Sequence, residues 1–214
     1  MRKWTLSLAA AGAALVSVGA LQAQTAPQLP GTMDATRVTA GTYTVDPGHT
    51  LVGWRVNHFG FNDYFGIFGN VEGNLAIDPA NPGAAKLDVT IPISSLVVAS
   101  QGLRDHLLRP GADGKTPDFF GAEPQPARFV STQVTRNGPT TADITGNLTL
   151  NGVTKPVTIA ARFTGAGANP MSQVATVGFE GTTTINRTDY GINFAAPFVS
   201  DAVELDISAA FEKR

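Results

Sequence analysis

Apolar and polar residues alternate one by one along most of this chain, and that rhythm leaves little room for anything but β-structure. In Leu51–Phe59, Val52, Trp54, Val56 and His58 share one parity; in Phe65–Ile77, Phe65, Ile67, Val71, Leu75 and Ile77 do the same. Near the end, Val203, Leu205, Ile207, Ala209 and Phe211 alternate with Glu204, Asp206 and Ser208. A period of two puts one set on one face of a strand and the other set on the opposite face. The same pattern links Leu87, Val89 and Ile91, then Ile144, Leu148 and Leu150, then Val157, Ile159, Ala161 and Phe163. The expected strands are Tyr43–Val45, Leu51–Phe59, Phe65–Ile77, Ala85–Ile91, Arg128–Thr135, Thr141–Leu150, Thr154–Phe163, Val174–Asn186 and Val203–Phe211.

The turns set the topology. Asn151-Gly152 lies between two alternating runs and fits a type I′ hairpin, which needs positive φ at both central residues. Asn137-Gly138-Pro139, Asp78–Gly83 and Gly165–Pro170 mark further reversals. Strands joined by short turns form an antiparallel meander, and roughly eight of them can close into a barrel without exposed edges. The expected fold is therefore all-β, an up-and-down antiparallel barrel. Ser94–Leu108 breaks the rhythm with helical spacing of Leu96, Val97, Leu103, Leu107 and Leu108, and the irregular Arg109–Pro126 follows. A long irregular segment is usually functional or disordered, and the adjacent Phe119 and Phe120 favour a packed one. It is either a lid over one barrel end or an ordinary crossover between strands.

The chain start reads as a targeting segment. Arg2 and Lys3 precede an apolar run from Leu6 to Ala20, with Ala20 and Ala23 as cleavage positions, so residues 1–23 fit a secretory signal peptide. The run is short for a membrane span of about 20 apolar residues, and the mature protein is expected to have no such span. Residues 24–40 are small and polar, with Pro27 and Pro30, and are expected to form a flexible linker before a domain over residues 41–214. The chain has no cysteine, which removes disulfides, thiol nucleophiles and thiolate metal sites together. A domain of this length can hold a core without them. A net charge of −2 with no basic stripe argues against a nucleic-acid partner.

Catalytic patterns are missing. There is no G-x-S-x-G elbow and no G-x-G-x-x-G. Gly114-Lys115-Thr116 resembles the end of a phosphate loop, but Arg109 stands where its first glycine belongs. The three histidines are His49, His58 and His106, and no carboxylate is spaced with them as a metal ligand. His49 and His58 are an odd number of positions apart and would face opposite sides of an unbroken strand. Each is better read as a hydrogen-bonding group at a barrel rim, and no metal or cofactor is expected. Arg104-Asp105-His106 could receive a ligand head group or fix the loop by charge-assisted bonds. Asn186-Arg187-Thr188-Asp189 is read as a strand-end cap or structural ion pair. What remains is an apolar interior, lined on this reading by Trp54, Val56, Ile67, Val71, Phe129, Leu148, Ile159, Phe179 and Leu205. A small barrel either fills with side chains or encloses one ligand. Gly69, Gly73, Gly146 and Gly181 either open space inside or mark bends.

An ordered set of short motifs resembles the YceI-like family of secreted bacterial proteins. It comprises VDPGHT at Val45–Thr50, W-x-V-x-H-F-G at Trp54–Gly60, F-G-x-F at Phe65–Phe68 and PDFF at Pro117–Phe120. RFVST at Arg128–Thr132, the run from Gly146 to Val157 and INRTDYGI at Ile185–Ile192 complete it. The resemblance implies a lipocalin-like barrel that binds a polyisoprenoid chain in the periplasm. Arg104 stands where the family usually carries an acidic residue, and extra residues around Gly111–Lys115 lengthen the path to the D-F-F segment. The expected ligand is an isoprenoid-like lipid of polyprenyl or quinone-tail type, held without chemistry. The residues expected to touch it are Trp54, Val56, His58, Phe65, Ile67, Val71, Arg104, His106, Phe119, Phe120, Phe129, Leu148, Ile159 and Phe179. A homodimer is possible. The rivals are a filled barrel serving as a stress or redox partner, and a hydrolase or isomerase using His58 or His106.

Overall fold

A computed structural model describes residues 28–112 and 115–213. The expected signal peptide lies outside them. Ten antiparallel strands follow in order: β1 (Gly41–Val45), β2 (Leu51–His58), β3 (Asn62–Phe68), β4 (Glu72–Ile77), β5 (Lys86–Ile91), β6 (Ala127–Arg136), β7 (Thr141–Leu150), β8 (Val153–Ala168), β9 (Ala175–Asn186) and β10 (Ala202–Lys213). Between β5 and β6 lies the α-helix α1 (Gln101–Leu108), where Ser100 Oγ caps the Leu103 amide at 3.2 Å. The strand order is β1-β4-β5-β6-β7-β8-β9-β10, and β1 pairs with β10 to close an eight-stranded, lipocalin-like barrel. The β2–β3 hairpin extends the wall: β2 continues β1 along β10, with Trp54 opposite Leu205.

The continuous strand expected over Phe65–Ile77 is two strands joined by a corner. Asn70 adopts φ 52°, a left-handed conformation that interrupts the pleat. β3 pairs with β2, whereas β4 pairs with β1 and β5. Register then decides which side chains turn inward. Trp54 is opposite Gly66, Val52 opposite Phe68 and Val56 opposite Tyr64, so the even-numbered residues of β3 share the inner face with Trp54. Phe65 and Ile67 are on the outer face, 70 % and 38 % exposed. Past the corner the parity is reset, and Val71 and Leu75 are buried.

One end of the barrel is filled. Tyr43, Val45, Val177 and Phe211 are buried there, and the Phe163, Phe179 and Phe211 rings meet edge to face at 5.7 and 6.1 Å. Residues 28–40, expected as part of a free linker, pack against this end. Thr32 exchanges two backbone hydrogen bonds with Ala166, and Val38 is buried. Gly167 permits the approach, since a Cβ there would lie 2.1 Å from the Pro30 carbonyl oxygen. Lys213 Nζ donates to Thr39 Oγ1 at 2.7 Å and to the Ala40 carbonyl at 2.9 Å, so the segment before β1 is fastened to the end of β10.

At the opposite end residues 92–112 and 115–126 cover the free edge of β3. Val97 and Ile67 exchange backbone hydrogen bonds at 2.9 and 3.0 Å. Leu96 and Leu107 are buried, and the Phe120 amide donates to the Leu107 carbonyl at 3.1 Å. The segment is thus packed onto the barrel and is more than a connection between strands.

Candidate functional site

The inner faces enclose a cavity of about 570 Å³, within the range of small-molecule sites. Its wall is almost wholly apolar. β10 contributes Val203, Leu205, Ile207, Ala209 and Phe211, the most regular alternating run of the sequence. Of the residues expected at the ligand, Trp54, Val56, His58 and Val71 line the cavity from the first strands. Phe129, Leu148, Ile159 and Phe179 line it from β6, β7, β8 and β9, and His106, Phe119 and Phe120 from the covering segment.

Three expected residues are misplaced. Phe65 and Ile67 face outward because the Trp54–Gly66 register places them on the far side of β3. Arg104 is absent from the cavity wall: its Nε donates to the Leu96 carbonyl at 3.3 Å and braces α1 against the preceding turn. Two of the glycines serve packing or bending. A Cβ on Gly146 would fall 2.4 Å from the Phe129 ring, and Gly73, at φ 138°, lies against the β5 backbone.

Trp54 is half-buried, and its Nε1–H has no acceptor among the described residues. The indole covers Gly66, where a Cβ would be 2.7 Å from the Trp54 ring and 2.6 Å from Val98 Cγ1. The aromatic wall is therefore held by contact with a bare backbone.

Polar groups gather at the mouth. His106 Nε2 is 3.0 Å from Asp118 Oδ2, which also accepts from Arg109 Nη2 at 2.6 Å. These bonds, that of Arg109 first, hold the Asp118 carboxyl below the ordinary carboxylate range. The ionised carboxylate can only accept, so Nε2 donates. The His106 imidazole stands edge-on to Phe194 at 4.8 Å and to Phe119 at 5.2 Å. His58 lies at the exposed end of β2, edge-on to Phe59, whose ring stacks on Phe198. His49 is elsewhere, hydrogen-bonded to Asp46 at 2.6 Å in the turn before β2. Among the described residues no group of three potential ligands is placed to hold a metal.

Sequence reading missed Arg187 as part of this wall. It follows Ile185 on the inward parity of β9, and that continuation was the available signal. Its side chain is 5 % exposed. Nη1 donates to the carbonyls of Ile192 and Phe194 at 2.8 and 2.9 Å, Nη2 to Val199 at 2.8 Å and Nε to Ser200 at 2.9 Å. Burial lowers its pKa from the usual guanidinium value, against the pull of Asp201. Phe194 and Tyr64 also line the cavity without having been expected there.

The YceI-like domain family matches residues 43–211 of this chain. A UPF0312 protein of Pseudomonas aeruginosa is 37 % identical over 211 residues, covering 97 % of each chain. BcnA of Burkholderia cenocepacia has the same fold, with a TM-score of 0.64 at 22 % identity over 78 % of this chain and 98 % of its own. A polyisoprenoid-binding domain from Saccharophagus degradans superposes with a TM-score of 0.55 at 15 % identity, covering 80 % and 98 %.

Proposed function

The chain belongs to the YceI-like family, and from that premise we propose that it is an exported, periplasmic carrier that holds an isoprenoid-like lipid, tail inward, in the barrel lumen. The observation that carries this reading is the cavity itself, apolar over nearly its whole wall and bordered by polar groups at one end. Each buried CH₂ contributes about 0.8 kcal/mol, so a long tail binds with few polar contacts. The Saccharophagus degradans domain of the same fold is a polyisoprenoid-binding one, which agrees with this ligand class. The apolar run before residue 24 supports export.

The proposed role involves no turnover. His106 does have a carboxylate beside it, the arrangement a general base would use. Yet Asp118 is shared with Arg109, and the neighbours of the imidazole are the Phe119 and Phe194 rings rather than a nucleophile. Mass spectrometry of lipids extracted from the natively purified protein tests the reading, followed by titration of stripped protein with a polyprenyl or quinone-tail lipid. Trp54 is the sole tryptophan after residue 4 and reports on the lumen. Co-purifying isoprenoid and a saturable change in Trp54 emission are expected. No extracted lipid together with unchanged emission at saturating ligand would refute it.

A further inference from the structure

Two loop tips stand at the mouth of the cavity, residues 58–62 between β2 and β3 and residues 191–200 between β9 and β10. Each carries two phenylalanines that meet solvent. Phe61 is 88 % and Phe198 68 % exposed, and Phe59 and Phe194 are about half exposed while also lining the cavity. The Phe59 and Phe198 rings stack at 6.0 Å, so the two tips form one patch. Neither tip holds a fixed charge: residues 57–62 and 191–200 include no aspartate, glutamate, lysine or arginine. The tips are pinned to each other by their backbones. The Phe59 amide donates to the Phe198 carbonyl at 2.8 Å, the Asn57 amide to Ser200 Oγ at 2.9 Å and the Ser200 amide to the Asn57 carbonyl at 2.9 Å. Phe59 is held at φ 55°, a left-handed conformation that a bulky side chain rarely adopts. Such a conformation persists only where the surrounding structure enforces it, and it is concentrated at functional sites.

A contiguous patch of exposed rings is unfavourable in water and marks a surface that another apolar phase covers. Phe59 and Phe194 belong to the lumen and to the rim alike, so the apolar wall of the cavity continues onto the outer surface. A long isoprenoid tail is nearly insoluble as a monomer, because every CH₂ adds to its cost in water, and its source is a bilayer. The acyl layer of a bilayer takes up aromatic rings and rejects ions, and these two tips offer the first and lack the second. We propose that residues 58–62 and 191–200 form a docking rim that inserts Phe61 and Phe198 into the surface of a phospholipid bilayer. Docked in this way, the mouth stands against the acyl layer, and a lipid passes between bilayer and barrel without crossing water. This rests on the carrier reading and adds where the lipid is collected.

The test mixes stripped protein with vesicles of neutral phosphatidylcholine and separates bound protein by flotation. Dispersed farnesol, titrated by Trp54 emission, reads the lumen independently of any bilayer. The protein should float with the vesicles, and its binding should change by less than about twofold between low and high salt, since no charges are paired. Phe61→Ser combined with Phe198→Ser should weaken vesicle binding by about tenfold or more, because the buried apolar area is lost. The same variant should slow uptake of a vesicle-borne polyprenol by a similar factor, while its affinity for dispersed farnesol stays within about twofold, as neither ring lines the cavity. Met171→Ser removes a side chain as exposed as Phe61 from the β8–β9 turn at the filled end and should change neither quantity. Phe61→Ser alone should weaken vesicle binding about threefold and decides the matter where the double variant does not fold. A protein that does not float, a Phe61→Ser variant that floats as well as the original, or binding abolished by salt overturns the docking rim, and farnesol binding that persists leaves the carrier intact. A dimer in solution that Phe61→Ser dissociates makes a second copy the occupant of the patch and also overturns the rim. Failure to bind both vesicles and farnesol overturns the carrier reading as well.

Discussion

Gly66 shows how narrowly single positions are specified in this wall. A methyl group there would collide with both the Trp54 ring and Val98 Cγ1. Gly66→Ala should therefore cost about 1–3 kcal/mol, as overpacking does, and should shift Trp54 emission; a denaturant titration with fluorescence readout measures both. Phe65 gives the opposite expectation. It is 70 % exposed across from Arg55, so Phe65→Ser should change stability by no more than about 0.5 kcal/mol and leave lipid uptake intact. Phe129, 4 % exposed and lining the lumen, should lose about 3–5 kcal/mol on replacement by Ala. Period-two alternation identified the inner face of β10 without error, because nothing interrupts that strand. It failed for Phe65 and Ile67 because the register across from Trp54 and the left-handed Asn70 are set by pairing, which a single strand's pattern does not carry. Arg187 was passed over for a related reason. A charged residue at the end of an apolar face looks like a cap until the four carbonyls around it are seen.

The covering segment between β5 and β6 is the element in which ionic and aromatic contacts meet. Asp118 joins Arg109 to His106, and Phe119 and Phe120 meet Phe194 and Phe68. A carboxyl whose pKa is depressed by folding adds stability that is complete above its unfolded value, about 3.9, and is lost as pH falls through the folded value. The depressed Asp118 therefore predicts that this segment loosens below about pH 4, with hydrogen exchange over Arg109–Pro126 rising before that of β9 and β10. Asp118→Asn should show the faster exchange already at neutral pH. Replacing Phe119 and Phe120 by Ala should speed ligand release more than it destabilises the barrel; a double variant that unfolds while its folded fraction releases ligand at the original rate would make them core residues. The sequence revealed this excursion by its helical spacing and its pair of phenylalanines. It could not reveal that the segment covers β3, since the Ile67–Val97 pairing joins backbones and leaves no side-chain signature.

At the scale of the molecule, the barrel is closed firmly on one side and lightly on the other. β10 is paired with β9 along nearly its full length and with both β1 and β2, whereas the β3 backbone is joined to the covering segment by one isolated bridge, with side-chain contacts such as Phe68 on Phe120 beside it. That asymmetry makes the β3 edge the expected route of entry. The chain has no natural cysteine, so Ile67→Cys with Val97→Cys gives a single addressable pair across the bridge. Oxidation should slow lipid exchange at least tenfold, and reduction should restore it; equal exchange in the two redox states would place entry elsewhere. The overall barrel was legible because strand rhythm and turn residues agree along the chain. The depth of the cavity was not, because it depends on how far the Phe163, Phe179 and Phe211 rings fill the closed end.

The fastening of Lys213 to Thr39 and Ala40 ties the segment just before β1 to the end of β10 at the filled end of the barrel. An affinity handle or surface linkage at the carboxyl end would thus hold the molecule upright, its opening turned to the solution and unobstructed. The same nearness allows Thr39 to be joined to Lys213 by a short peptide in a domain trimmed to residues 39–213, and new ends to be cut at a hairpin tip, as neighbouring termini permit in other domains. A circularly permuted barrel of this kind could be displayed in either orientation on a sensor.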